Sequence, residues 1–403
     1  MGERLRVAVV VERYASGGGG QERSTRQIVA ELRERGHAVR VLTAVGEHGR
    51  GEAEGEAGET VEAMGLSGLR TWLHVWRYHR WVERRLEALS DAVDVSIGMS
   101  TAAPADVVQP RGGTVVETME RNVAIRAAGW RRGVKRATQR LLPKQAALVW
   151  AERKTLGHAR LRRVVAVSDY VARQLDEHYG IGGDRVVVVP NAAAMPEMDE
   201  AKRARKRAAL RAGLGVAEDA VVFLFSALKP RLKGLGTLTE AVRLLQARGV
   251  EGFSVWVAGS GGYRLHDGLR RAGVSERFVE LGPTRSMAEL YAAADVTVLP
   301  TFYDPSSKVV IESLMMGVPA ITTRFNGAAD FVVPGGGAAD RGVVIDDPGD
   351  AGALAEAMVG MMDEQRRRAC ARAIGDELVE ELGMARHVGR LEEVLGEVAR
   401  GGI

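Results

Sequence analysis

Leu5-Arg-Val-Ala-Val-Val-Val11, then Tyr14-Ala-Ser-Gly17-Gly-Gly-Gly20-Gln-Glu-Arg-Ser-Thr25, then Arg35-Gly36 and His37-Ala-Val-Arg-Val-Leu-Thr43 decide the architecture of this chain. The first run is Val-rich and short, which predicts a buried strand. A helix of about twelve residues follows the glycines and stops at Gly36, and a second strand comes after it. Strand, Gly-rich loop, helix and strand within about 40 residues make a βαβ unit of a parallel sheet. The glycines allow positive φ and a close approach of backbone to a ligand. They do not form a phosphate P-loop, because no Gly-Lys-Ser/Thr follows. The Gly-x-Gly-x-x-Gly dinucleotide spacing also fails, at Glu22. A plain flexible loop is the competing reading.

The chain's 403 residues exceed one typical core and predict two domains. Apolar content of 46% and charged content of 27% are those of a globular protein. The single cysteine, Cys370, excludes an internal disulfide framework and suits a reducing compartment. No apolar run approaches the ~18 residues of a membrane span, and Val7 to Val11 is too short for a signal peptide. The expected location is cytoplasmic. Residues 1–190 carry 30 Lys/Arg against 23 Asp/Glu, whereas 191–403 carry 26 against 29, so the basic excess lies in the first half. Most of it falls in 121–163, where 13 Lys/Arg accompany one acid, Glu152. An anionic membrane surface, nucleic acid or a phosphorylated acceptor would satisfy such a segment, and a solvated helix face is the bland alternative.

Residues 46–60 are poor in apolar side chains and predict a surface loop. In Arg70–Leu89, Trp72, Val75, Trp76, His79, Val82, Leu86 and Leu89 recur at helical spacing. That face is expected to enter the core, with membrane-interface contact as the sharper reading. The strand Val93–Ile97 leads into Gly98–Asp106, and Asp106 is either an acceptor-site group or a turn cap. Strand, helix and strand through Val164 and Asp184–Asn191 complete a first domain, 1–191. A linker is expected at 192–205, around Pro196.

A fresh αβ series then runs through Val221–Ser226, Phe253–Ala258, Val279–Leu281, Val296–Leu299, Ala320–Thr323 and Val343–Ile345. Two doubly wound domains facing a cleft are the expected architecture. After Ser226 come Lys229, Arg231 and Lys233, three cations in five positions at the ligand-binding edge of the sheet. They suit a diphosphate. After Leu299 comes Pro300-Thr-Phe-Tyr-Asp304-Pro-Ser-Ser-Lys308-Val-Val-Ile-Glu312-Ser-Leu-Met-Met-Gly317-Val-Pro319. A helix starting near Ser306 or Ser307 would aim the N–H groups of Ser306, Ser307 and Lys308 at an anion. Asp304 and Glu312 flank that start as hydroxyl-binding carboxylates.

Together these motifs resemble the retaining glycosyltransferases of family 4, which have the GT-B fold. The resemblance rests on two acids separated by seven residues, then Gly317-Val-Pro319, and on Ala294-Asp295-Val-Thr-Val-Leu-Pro300 before them. Asp304 stands where the family has glutamate, and Ser307 where Gly is usual. Gly-Gly-x-x-Arg and Arg231-x-Lys233-Gly234 are similar to lipopolysaccharide-core glucosyltransferase-like members. The resemblance implies that Arg231 and Lys233 bind the donor diphosphate and that Glu312 holds the ribose. Asp304 with the 306–308 amides would take the sugar and distal phosphate, and Thr284 would line the nucleobase pocket. Gly18 and Gly19 would approach the phosphates. It further implies a C-terminal domain 206–383 and a final helix, 384–403, crossing back to the first domain.

The implied activity is metal-independent hexosyl transfer from a nucleotide-diphosphate sugar, a UDP-sugar first among them. The acceptor would be a glycan or glycolipid, as in lipopolysaccharide or other cell-surface glycan synthesis. No cofactor is expected, and peripheral contact with an anionic membrane would run through 121–163. Nucleic acid is not the expected partner. A nucleotide-sugar epimerase of the same fold and a non-catalytic membrane- or nucleic-acid-binding module are the alternatives.

Overall fold

Val-rich runs that lack polar alternation suit strands covered on both faces, the condition of a parallel sheet between helix layers. The structure is a computed structural model that describes residues 4–15, 20–47, 50–56, 58–125, 133–135, 138, 142–259, 263–284 and 286–401, with 263 and 264 as backbone only. The chain divides into two compact units, Met1–Ala192 with Gly383–Ile403, and Ala193–Leu382.

The first unit holds β1 (Arg6–Tyr14), β2 (Ala38–Gly46), β3 (Gly51–Glu54), β4 (Thr60–Ala63), β5 (Val95–Gly98), β6 (Val107–Val108), β7 (Arg163–Ala166) and β8 (Val186–Val188). Their order is β3-β4-β2-β1-β5-β6-β7-β8, parallel except for β3 on β4. Val9 lies opposite Val41 on one side and Ile97 on the other, so the opening strand is central. The helix Gly20–Glu34 lays Ile28, Val29 and Leu32 on this sheet. Gly36, at φ +93°, turns the chain into β2.

Three expectations change here. Residues 46–60 are not wholly loop, because Gly51–Glu54 pairs antiparallel with β4 at the sheet edge. An edge strand needs one partner and tolerates outward charge, so low apolar content does not forbid it. The helix Trp72–Ala88, capped by Thr71, buries Val75, Tyr78, His79, Val82 and Leu86, but Trp72 and Trp76 stay 55% and 46% exposed. Tyr78 takes the core position that the spacing assigns to a tryptophan. The expected linker, 192–205, runs from Glu200 into the helix Glu200–Gly213, which Asp199 caps.

The second unit holds β9 (Val221–Ala227), β10 (Phe253–Gly259), β11 (Phe278–Gly282), β12 (Val296–Val298), β13 (Ala320–Thr323) and β14 (Gly342–Ile345). All are parallel, in the order β11-β10-β9-β12-β13-β14. Phe223, Phe225, Val255, Val296 and Ile321 are fully buried. Each such side chain contributes about 1.5–3 kcal/mol by leaving water. The order reverses between β10-β9 and β12, the switch point where sheets of this class open a ligand crevice. The last helix, Met384–Ala399, packs Val388, Leu391, Val394 and Leu395 with Val7, Val9 and Ile28 of the first unit. His387 Nδ1 lies 2.6 Å from Pro190 O, and Arg35 meets Glu392 at 3.2 Å.

Candidate functional site

At the carboxyl end of β9 the chain turns through Lys229–Gly234 before the helix Leu235–Ala247. Gly234 adopts φ +83°, and a Cβ there would sit 2.0 Å from Pro300 O, so only glycine lets this turn lie against the loop after β12. Phe302 N donates to Leu232 O at 2.9 Å and fastens the two loops. Lys233 Nζ then reaches Tyr303 O at 3.0 Å and Asp304 Oδ2 at 2.5 Å. Arg231 is exposed on the same turn.

Asp304 is a node. Its backbone bridges Asn326, its Oδ1 accepts from Ser306 N at 3.3 Å, and its O accepts from Gly327 N at 2.8 Å. The helix Lys308–Met315 begins after Ser307. Two of the three amides expected to face a ligand are therefore occupied from within, since Ser307 N donates to Asn326 Oδ1 at 3.1 Å. A buried helix start has to satisfy its donors, and neighbouring side chains do so here. Inside the helix, Glu312 is half-buried and accepts from the Tyr291 hydroxyl at 3.1 Å. Burial and that carboxylate raise the Tyr291 hydroxyl well above its ordinary pKa, which keeps it a donor.

Asn326 and Tyr291 are members that the sequence reading missed. The Asn326-Gly327 pair just past β13 is a turn signal at the ligand edge and could have marked the first. Tyr291 lies mid-helix with no local signal. Thr284 is exposed and accepts from Ser286 N at 3.2 Å, so it shapes its own turn. Gly18 and Gly19 lie outside the described residues. Asp347 accepts from Gly349 N at 2.8 Å, a turn contact. Cys370 is buried, which pushes its thiol up.

The first unit has its own cavity of about 470 Å³ at the carboxyl ends of β1 and β5. Glu12, Gln21, Ser100, Arg111, Asn122 and Gln145 are among its walls. Asp106 does not reach it. The loop after β5 returns to start the parallel strand β6, which carries Asp106 to the opposite, amino edge. There it accepts from Ser96 N at 2.9 Å and meets Arg160 at 3.3 Å, a structural clasp. Glu152, the lone acid of the basic segment, is buried. It accepts from Thr101 Oγ1 and from Val115 N, both at 2.9 Å, and burial pushes its carboxyl up. Arg126, Arg131, Arg132, Arg136, Arg140 and Trp130 of that segment lie outside the described residues.

Among the described residues no group of three metal-ligating side chains occurs. Residues 219–364 match the family model described as glycosyl transferases group 1, and residues 18–193 match that of glycosyltransferase family 4. The chain is 32% identical over 221 residues to the D-inositol 3-phosphate glycosyltransferase 2 of Catenulispora acidiphila, covering 51% of this chain and 49% of that protein. It is 32% identical over 253 residues to the D-inositol 3-phosphate glycosyltransferase of Thermomonospora curvata, covering 58% and 56%. The chain thus spans about half the length of the curated relatives it matches. In fold it is similar to WaaG, a glycosyltransferase involved in lipopolysaccharide biosynthesis, with a TM-score of 0.72 at 21% identity over 98% of this chain and 100% of that one. Anabaena HepE in complex with UDP-glucose superposes with a TM-score of 0.67 at 16% identity over 98% and 100%. Both likenesses are of the GT-B fold.

Proposed function

The chain belongs to the glycosyltransferases of group 1 and family 4, and from that premise we propose that it transfers a hexose from a nucleoside-diphosphate sugar to a hydroxyl acceptor with retention of configuration. The observation that carries this reading is the Lys233–Asp304 pair, set beside the start of helix Lys308–Met315 at the switch point of the second sheet. The Lys233 ammonium is held by two oxygens before any ligand arrives, so it needs no reorganisation.

As the C1–O bond to the diphosphate breaks, negative charge grows on the leaving group. Lys233 and Arg231 supply cations where that charge develops. A diphosphate oxygen takes the acceptor proton, and the acceptor oxygen bonds C1 on the face that the diphosphate leaves. No side chain is assigned as base. Glu312, oriented by Tyr291, accepts from the ribose hydroxyls, while Asp304 and the positive end of helix Lys308–Met315 address the sugar and distal phosphate. Thr284 lies beside the base. The two cations supply the charge that a metal supplies elsewhere, so transfer proceeds without one.

UDP-glucose in the HepE complex supports a UDP-sugar as the first donor to test. The names of the relatives support a phosphorylated polyol acceptor, and that of WaaG supports a surface glycolipid. Among the described residues no helix is long and apolar enough to cross a membrane. Work at the inner face of the cytoplasmic membrane would use the exposed Lys144, Arg153 and Lys154 of the basic segment.

A thermal-shift screen over a panel of nucleotide sugars identifies the donor, since ligand at 100 times its Kd stabilises by about 2.7 kcal/mol. Proton NMR of the product with that donor then reads the anomeric configuration. A product of inverted configuration would overturn retention. Donor that is only epimerised or hydrolysed, whatever the acceptor, would overturn transfer.

A further inference from the structure

Asn326, in the loop after β13, is 1% exposed, and both ends of its carboxamide are used. Oδ1 accepts from Ser307 N at 3.1 Å and from Ala328 N at 3.0 Å, while Nδ2 donates to Thr322 Oγ1 at 2.9 Å. Thr322 Oγ1 in turn donates to Leu299 O at 3.0 Å. A hydroxyl has one proton to give, so it accepts from position 326, and the carboxamide cannot be reversed. The backbone around Asn326 holds the other end of the same segment. Asp304 N donates to Phe325 O at 2.9 Å, and Gly327 N donates to Asp304 O at 2.8 Å. Residues 304–307 are thus gripped at both ends from 325–327, and the Asp304 carboxylate so placed meets Lys233 at 2.5 Å.

The charge of this acceptor sets it apart. Helices Glu200–Gly213, Ala351–Gly360 and Glu364–Arg372 of the same unit are capped by Asp199, Asp350 and Asp363. Helix Lys308–Met315 has no side-chain bond from its own cap residue, Ser307, and its start is held by a neutral carboxamide instead. An aspartate of the same shape would accept from the same two N–H groups. It would also set a second carboxylate beside Asp304, whereas Lys233 pairs with one. The excess negative charge would oppose a phosphate.

We propose that Asn326 is a positioning residue of the donor site, which holds Asp304 against Lys233 and, being neutral, leaves the distal phosphate of a nucleoside diphosphate unopposed. It acts through the Lys233–Asp304 pair and rests on the transferase reading above.

The test uses the full chain and compares UDP with UMP by titration calorimetry. ADP with AMP, or GDP with GMP, takes their place if UDP does not bind. The ratio of the two affinities reads the distal phosphate. Asn326→Asp is expected to lower that ratio about tenfold or more, the scale of one added charge nearby. Asn326→Ser is neutral but too short to reach Ser307 N, and it should lower the ratio only about threefold, the scale of one hydrogen bond. A role confined to holding the loop predicts the opposite order, because aspartate keeps both backbone contacts and serine loses one. Should Asn326→Asp not fold, Thr322→Val frees the carboxamide to turn and should lower the ratio about threefold. The proposal is overturned if a diphosphate binds the wild type and the folded variants keep its ratio, or if Asn326→Ser loses more than Asn326→Asp. The donor reading survives either result. If none of the three diphosphates binds the wild type, the donor reading itself fails and takes this proposal with it.

Discussion

The turn around Lys233 and the cavity around Arg111 both place a cation just past the carboxyl end of a parallel strand, and they treat its charge in opposite ways. Lys233 is half-buried and neutralised from within the chain by Asp304 at 2.5 Å. Arg111 is more deeply buried and held only by hydroxyls and a carbonyl. The first arrangement fixes a charge in position at little cost and leaves it ready to respond to a growing anion. The second leaves a charge that no carboxylate among the described residues balances, which costs stability. A preorganised catalytic group and a merely enclosed charge differ in this respect.

The largest effect expected on this contrast is on turnover. Lys233→Ala or Arg231→Ala should each lower the rate of sugar transfer by roughly 10²–10³, measured as initial rates at saturating donor. Near-normal rates in both would break the comparison at its catalytic side. Next comes the backbone that brings the two loops together. Gly234→Ala meets both a positive φ and Pro300 O, and it should destabilise by about 2–3 kcal/mol in urea unfolding. Gly236→Ala, where nothing lies within 4 Å, is the control and should be neutral or slightly stabilising.

A third variant sharpens the role of the counter-charge. Asp304→Glu keeps the pairing with Lys233 but moves the carboxylate by one methylene. Relative rates across a donor panel should change by about tenfold between sugars, with UDP affinity retained. An unchanged sugar ranking would take Asp304 away from the sugar.

The smallest effect concerns another buried group in the first unit. His79 lies under Ala102 O and beside the Trp150 ring, and burial lowers its pKa below 6.5. The unfolded chain then binds the proton more readily, so this contribution is complete above pH 6.5 and is lost as pH falls below it. His79→Gln should flatten that part of the stability–pH curve, read by urea unfolding between pH 7.5 and 5.5.

Much of the architecture was legible because periodicity and punctuation are local. The strands that begin at Val221, Phe253, Val296 and Ala320 start where the apolar runs predict. The cations after β9 and the acids around the helix start were legible for the same reason, since each follows a readable strand. Trp72 and Trp76 misled because a helical stripe gives a face without saying where the sheet beneath it ends. Asp106 misled because its edge depends on the direction of β6, a strand of two residues with almost no signal.

By itself, then, the sequence determined two αβ series, a glycine-rich first loop and a charged edge in the second half. These depend on residue type and spacing within a few turns of chain. Only the tertiary structure decided that Asn326 and Asp304 occupy the helix-start amides, that Tyr291 backs Glu312, and that Arg111 is buried without a carboxylate. The Asn326, Tyr291 and Arg111 contacts join residues distant in sequence, whereas Asp304 on Ser306 N is local, and burial, which sets the worth of a charge, exists only once the sheets are packed.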